Sequence, residues 1–523
     1  MTDWREAGTA RWLRHRCLLA IVGGAMALKA ALLALDAVPF DGDEAIVALM
    51  ARHILRGERP WFFYGQHYMG SLDAYLVAGS FALLGESVLA LRVAQVALFA
   101  FTLLTGYATA LRITADRGVA LLATLLMAFP PVLLTLYTTV TLGGYGEVLL
   151  AGNLLLWWGH RLGQEDARRW GLWLAWGLVA GLGFWVLGLI VVYLAPVTLW
   201  ILWCRRMRPW RGYLLAGLGF AVGSLPWWLG GGWLAVGEQL TAAAAPGAGW
   251  LDQIGARTLN FALLGLPALF GLRFPWGVTS LSLWLAAPVL ALYMGALALG
   301  LRRCADRTLL WGVWATLFLG FILTPFGRDP SGRYFLPLYL PLSIFTADAL
   351  TVLRQRMGRW AWAVLGMALA FNMLGTAQAA ATNPPGLTAH FNPAAWVDHR
   401  YDQELIRFLR AHGGTRGYAH YWVAYPIAFL SGEEIILAPR LPYKTTLRYS
   451  PRDDRYAPYG EWVEQSDAVV YVTTDLPELN TRLRERFAAL SVGFRETSIG
   501  SYRVFHDLSR AVRPDELSFP LED

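Results

Sequence analysis

The chain has 523 residues, 56% of them hydrophobic and only 15% charged, with a net charge of +7. Soluble domains carry about 25% charged residues, so a wholly soluble protein is excluded and a chain lying mostly in lipid is indicated. Nearly all the positive charge is arginine, lysine occurring only at Lys29 and Lys444. These arginines sit in short clusters between apolar runs, which is the mark of membrane topology rather than of a nucleic-acid surface, and no nucleic-acid partner is expected.

A crossing helix needs about 20 apolar residues. Runs of this kind predict eleven transmembrane helices, at about 17–38, 93–111, 118–140, 146–160, 170–184, 186–203, 212–230, 279–300, 308–325, 334–353 and 360–380. The run after Arg16 is long enough to stay as an anchor rather than be cleaved as a signal. Cys17, Cys204 and Cys304 show no metal-ligand spacing and suggest no disulfide framework. The run from Leu72 to Gly85 is short for a span, and its placement sets the side of every later loop. Laid flat at the interface, it leaves 19 arginines on the cytoplasmic segments and 8 on the outer ones before the C-terminal region. The positive-inside rule selects that arrangement. The N-terminus is then cytoplasmic and the C-terminal region extracytoplasmic in a multi-pass protein of the cytoplasmic membrane, surrounded by its lipids. Two outer loops are long: Pro39 to Arg92, with its in-plane helix, and about Gly231 to Thr279, either a lid or an interfacial hairpin.

After Ala380 the composition changes. Asn383-Pro384-Pro385-Gly386 reads as a linker, which divides the chain into a membrane module, 1–380, and a small α/β domain, 381–523. In that domain Gln403 to Ala411 and Leu479 to Leu490 have helical period. Gly417 to Leu430, Glu434 to Leu437, Ala468 to Val472 and Tyr502 to Phe505 read as strands.

Four stretches carry chemistry. Asp41-Gly42-Asp43-Glu44 follows the first helix and gathers three carboxylates, of which Asp43 suits a helix cap. His67 to Asp73 lies where the first loop meets the bilayer, and Asp73 suits the cap of the in-plane helix. Glu147 opens the fourth helix, where an ionisable group beside an apolar run is costly and often functional. Arg328-Asp329-Pro330-Ser331-Gly332-Arg333-Tyr334 feeds the tenth helix; guanidinium forks suit phosphate oxygens, with Asp329 the local ion-pair alternative. Under the arginine-based topology all four face the outer side. Asp43, Glu44, His67 and Asp73 are also donors that a divalent metal accepts, although their spacing is not diagnostic.

This arrangement resembles the GT-C superfamily of membrane glycosyltransferases, closest to the family containing protein O-mannosyltransferases and lipid A aminoarabinose transferases. The resemblance runs over roughly 17–380. Its marks are Asp43-Glu44 after the first helix, His67 to Asp73 before the in-plane helix, Leu91-Arg92 at the next helix, Glu147 at the outer end of a later one, and Arg333-Tyr334-Phe335-Leu336-Pro337. Tyr68-Met69-Gly70 stands where relatives often have a proline pair, and Glu147 where aspartate is common. The tail is similar to that of bacterial members through Arg416 to Trp422 and Leu430-Ser431-Gly432-Glu433.

The resemblance implies a GT-C-like helical membrane fold and transfer of a hexosyl or pentosyl group, with inversion, from a polyprenyl-phosphate donor to a glycan, lipid or protein acceptor at the outer membrane face. Asp43 is expected to act as base, with Glu44 or Glu147 orienting sugar or acceptor. Arg333 with Arg328 or Arg92 is expected to hold the phosphate; Asp73, His67 and Tyr334 complete the candidate substrate site. The alternative is a transporter or flippase for a lipid-linked glycan, which would show inverted repeats and midplane helix breaks; no clear repeat is visible. A receptor or scaffold would leave the acids of the first loop unexplained.

Overall fold

The computed structural model describes residues 3–165, 168–206, 208–234, 249–276, 283–382, 386–390 and 393–522. The expected linker at Asn383–Pro385 and the middle of the second outer loop, 235–248, lie outside the described residues. Contacts sort the chain into two compact units. One comprises 1–37, 68–73 and 92–381; the other comprises 38–67, 74–91 and 382–523, and so holds most of the first outer loop.

The first unit is helical. Each of the eleven expected spans has a helical counterpart. Arg16–Ala34, Val88–Thr114, Gly188–Arg205, Arg333–Met357 and Trp360–Ala381 are each long and apolar enough to cross a membrane alone. Others are shorter or broken. The run expected at 118–140 divides into Arg117–Ala128 and Val132–Tyr137 around Pro130-Pro131, where the missing N–H groups interrupt the helical ladder. Leu199 and Trp203 are 67% and 84% exposed on one such helix, a surface that hydrocarbon covers and water does not. In the second long loop, Trp250–Asn260, the wider turn Phe261–Gly265 and Leu266–Leu269 are helical and leave Trp250, Leu251 and Leu263 exposed.

Inside this unit two buried cations have oxygen partners. Lys29 Nζ donates to Thr138 Oγ1 at 2.8 Å, Thr139 Oγ1 at 2.9 Å and Thr135 O at 3.3 Å. Arg307 Nε meets Asp348 Oδ2 at 2.9 Å, both buried. A buried charge without such partners would cost several kcal/mol. The tightest helix pair is Trp170–Val186 with Trp210–Gly223. Gly177 and Gly181 face the Ala216 and Phe220 carbonyls, while Gly219 and Gly223 face those of Leu174 and Leu178. Small residues four apart on both helices let the backbones touch.

The second unit holds the helices Gly42–Leu55 and most of Leu72–Leu84, the strands β1 (Phe62–Phe63) and part of β2 (Gln66–Gly70), and the C-terminal domain. Leu72–Leu84 has 13 residues, about 20 Å of helix, short of the ~30 Å hydrocarbon core. It leaves Leu76, Leu83 and Leu84 exposed. The C-terminal sheet contains β3 (Arg416–Tyr418), β4 (Ile436–Ala438), β5 (Val470–Thr473), β6 (Arg495–Ile499) and β7 (Tyr502–His506), in the order β4-β3-β5-β7-β6. Tyr418 pairs in parallel with Ala438 on one side and Tyr471 on the other; β7 runs antiparallel to β5 and β6. Leu405, Ile406, Val423, Ile427, Leu437, Val472 and Val504 form its core.

One expectation fails here. Gly417 to Leu430 is not a strand throughout: β3 ends at Tyr418, and Tyr421–Leu430 is a helix. Ten apolar residues buried on every side carry no period, so such a run is ambiguous between strand and helix. β6 and the helix Ala457–Glu464 were not anticipated.

The Gly42–Leu55 helix is almost wholly buried and packs on the Tyr421–Leu430 helix. At its far end Glu433 gathers cations. Its carboxylate lies 2.8 Å from His53 Nε2, 2.5 Å from Arg56 and 3.7 Å from Arg52, and accepts from Tyr459 at 2.8 Å. Arg52 also reaches Glu86 at 2.6 Å and the Phe429 carbonyl at 3.1 Å. Glu433 holds a left-handed φ of 66°, which a non-glycine residue adopts at some cost. Burial opposes ionisation of Glu433, but His53, Tyr459 and Arg56 outweigh it and lower its pKa to about 2.

Two outcomes follow. Gly177→Leu drives a side chain into the Ala216 carbonyl and should destabilise the protein by about 3 kcal/mol, read as a lower unfolding temperature in detergent. Glu433 has a folded pKa below its unfolded value of about 4.3, so its stabilisation is full above that value and lost as pH falls toward about 2. Glu433→Gln should flatten that acid-side loss and cost roughly 3 kcal/mol at neutral pH, measured by denaturant unfolding across pH.

Candidate functional site

The site begins with a helix start. The first N–H groups of a helix lack intrahelical acceptors. At the Gly42–Leu55 helix Asp41 supplies one: its Oδ1 accepts from the N–H of Asp43 at 3.0 Å and of Glu44 at 3.1 Å. The cap is therefore Asp41 and not Asp43. Gly42 is required between them, since a Cβ there would lie 2.7 Å from the Tyr421 ring.

Asp43 is thereby released from capping. Its Oδ1 accepts from the Tyr421 hydroxyl at 2.7 Å. Burial and the neighbouring Asp41 charge raise its pKa, against the opposing pull of His390, Tyr421 and Arg455. Asp41 goes the other way. Burial opposes its ionisation, but His390, whose Nε2 lies 3.0 Å from Oδ2, and the Glu44 N–H lower its pKa. Two carboxylates one residue apart are thus driven to opposite proton affinities. The Arg455 guanidinium lies 5.6 Å from the Tyr421 ring centre, and the His390 ring stacks edge-on against Trp422 at 4.0 Å. Beyond them, His399 Nδ1 meets Asp402 at 3.0 Å, and Asp402 accepts from Tyr502. Burial lowers the pKa of His420 to about 3.

The other candidates in this unit behave differently. Glu44 is 1% exposed, adjacent to Asp43 in the first helical turn. His67 is exposed, its ring 6.1 Å from that of Phe62.

The first unit gathers a separate set. Asp73 is buried and does not cap its helix; its Oδ2 accepts from Thr141 Oγ1 at 3.0 Å. Glu147 stands in the first turn of Tyr145–Gln164, after Gly144 at a φ of 76°, within electrostatic reach of Asp73. Its Oε2 is buried with no hydrogen-bond partner among the described residues. Arg92 is buried in the Val88–Thr114 helix. Arg333 pairs with Asp329 at 2.5 Å and lies over the Tyr334 ring at 5.3 Å. Asp329 in turn accepts from the Ser331 N–H at 2.8 Å, and Gly332 takes a φ of 82°, which launches the Arg333–Leu338 turn. The Arg333 side chain is 38% exposed and its Nε has no hydrogen-bond partner among the described residues. Arg328 is directed elsewhere, to Gln253 at 3.4 Å.

Among the described residues no three His, Cys, Asp or Glu side chains are gathered as metal ligands, Asp43, Glu44, His67 and Asp73 included.

Sequence reasoning missed His390, Tyr421, Arg455 and Thr141. Tyr421 and Glu433 stood in stretches singled out only by resemblance. His390 and Arg455 lie more than 340 residues from Asp43 along the chain, and nothing local marks them. The capping role of Asp41 was legible: an acid immediately before a helix start accepts its free N–H groups.

No family model matches the chain, and no curated protein matches it. Among solved structures, the crystal structure of ArnT from Cupriavidus metallidurans bound to undecaprenyl phosphate matches with a TM-score of 0.57 and 14% identity, covering 99% of this chain and 100% of that one. The same protein in the apo state matches with a TM-score of 0.58 and 12% identity, covering 96% and 98%. This chain is therefore a multi-helix membrane protein that shares the fold of ArnT along almost its whole length.

Proposed function

We propose that the protein is a glycosyltransferase that moves a sugar from a polyprenyl-phosphate donor to an acceptor hydroxyl or amine at the outer face of the cytoplasmic membrane. The reading rests on one observation: a half-buried carboxylate freed from helix capping, held against a tyrosine, with its proton affinity raised. A raised proton affinity makes a carboxylate a better general base. The ArnT match over the full chain supports the choice of reaction class, because the solved relative carries undecaprenyl phosphate.

In the proposed step Asp43 takes the acceptor's proton as the acceptor atom attacks the anomeric carbon. The bond from that carbon to the phosphate oxygen breaks, and the electron pair leaves with the lipid phosphate. A single displacement inverts the anomeric centre. Arg333 is the preferred phosphate ligand: one edge is held by Asp329 while Nε keeps a donor to give. Positive charge fixed beforehand at a leaving oxyanion lowers the barrier without reorganisation. Glu147, with a buried oxygen unmatched by protein, is assigned to orient sugar or acceptor hydroxyls. Arg92, Asp73 and Tyr334 remain supporting candidates. Phosphate binding by Arg328 is the weaker assignment, given its contact with Gln253. The N-terminus is placed in the cytoplasm and the C-terminal domain outside.

Asp43→Asn should lower turnover about 100-fold or more in membranes supplied with donor; near-normal turnover removes Asp43 from the role. A base acts ionised, and its folded pKa is raised. In the wild type kcat/KM should therefore rise with pH through a limb above the ordinary aspartate value of about 3.9, and that limb should vanish in Asp43→Asn. Arg333→Ala should weaken donor use by about 10- to 100-fold, the worth of a charged hydrogen bond, read as a higher donor KM or as loss of competition by free polyprenyl phosphate.

A further inference from the structure

The residue that the mechanism leaves unused is His390. It is almost buried, its Nε2 lies 3.0 Å from Asp41 Oδ2, and Trp422 packs edge-on against its ring. Asp41 already has a complete structural task, since its other oxygen caps two N–H groups. A cap needs no imidazole on its second oxygen. What the imidazole supplies, when protonated, is a charge beside the nearest like charge to Asp43.

We propose that His390 is a positioning residue for the transfer reaction: by pairing with Asp41 it fixes the capping carboxylate as the permanent anion of this turn and leaves Asp43 as the carboxylate that exchanges a proton with the acceptor. The inference rests on the base role proposed for Asp43. Two carboxylates this close on one helix start compete for a single proton. Without the imidazole beside Asp41 both carboxylates would bind protons more readily, and at neutral pH a larger share of molecules would hold Asp43 in its protonated, unreactive form. The groups around the pair are mixed. Tyr421 donates to Asp43. Arg455 and Asp453 act on Asp43 with opposite signs. Tyr443 is within electrostatic reach of Asp43, and His399 of Asp41. Only His390 is in direct contact with Asp41 from outside the helix among the described residues.

The direction of the effect follows. His390 favours the ionised form of both Asp41 and Asp43. His390→Gln keeps a side-chain donor and removes the charge, so the Asp43 midpoint should move up. The purified full-length protein in detergent is titrated with the infrared carbonyl band of protonated carboxyl groups as the readout, which needs no substrate. The component lost in Asp43→Asn identifies Asp43. In His390→Gln that component should shift upward by about one pH unit, a tenfold change in the ionised fraction. In His390→Arg, whose guanidinium can pair with Asp41, it should return toward the wild-type midpoint. An unshifted midpoint in a folded His390→Gln protein overturns the proposal. A shift that His390→Arg fails to reverse also overturns it, since the cation would then not be the agent. These outcomes are separate from the base role itself, which fails only if Asp43→Asn turns over normally.

Discussion

One hydrogen-bonded turn sets the surroundings of Asp43: the cap that Asp41 places on the Gly42–Leu55 helix. Two backbone N–H groups at a buried helix start demand an acceptor, and Asp41 provides it. The acid after the glycine is then free of structural duty. Gly42 belongs to the same constraint, because the Tyr421 ring occupies the space a side chain would need. The tyrosine that excludes a side chain at 42 is the one that donates to Asp43. Capping, close approach and the setting of a carboxylate are therefore a single local solution rather than three.

In the membrane unit two buried cations are held by oxygens of neighbouring segments. Lys29 is surrounded by three threonine oxygens, and Arg307 is held by Asp348. Both are accounted for by structure. Glu147 is different, since one of its oxygens is buried without a protein partner among the described residues, and Arg333 keeps a donor beyond its pair with Asp329.

Much of the fold was legible because the signals are local. Apolar runs of spanning length identify helices whatever they pack against, and the arginine clusters punctuate them. The failures have physical causes. Tyr421–Leu430 is buried on all sides, so it offers no periodicity, and its β-prone residues suggested a strand where a helix forms. The break at Pro130-Pro131 was absorbed into one long run, although two successive residues without N–H groups predict it. At the site, Asp43, Glu147 and Arg333 were visible as ionisable residues beside apolar runs. Their partners were not: His390 and Tyr421 come from the far end of the chain, and only folding brings them to Asp41 and Asp43. The division of labour between Asp41 and Asp43 was open to reading from the cap rule.

A transferase of the proposed kind breaks a glycosyl–phosphate bond, and a carrier does not. The most direct measurement uses the purified protein in liposomes carrying polyprenyl-phosphate sugars, with an aqueous panel of hydroxyl and amine acceptors. The expected result is acceptor-dependent release of free polyprenyl phosphate and one equivalent of product with the opposite anomeric configuration. Passage of intact donor across the bilayer, with no lipid phosphate released, would contradict it and make the protein a carrier.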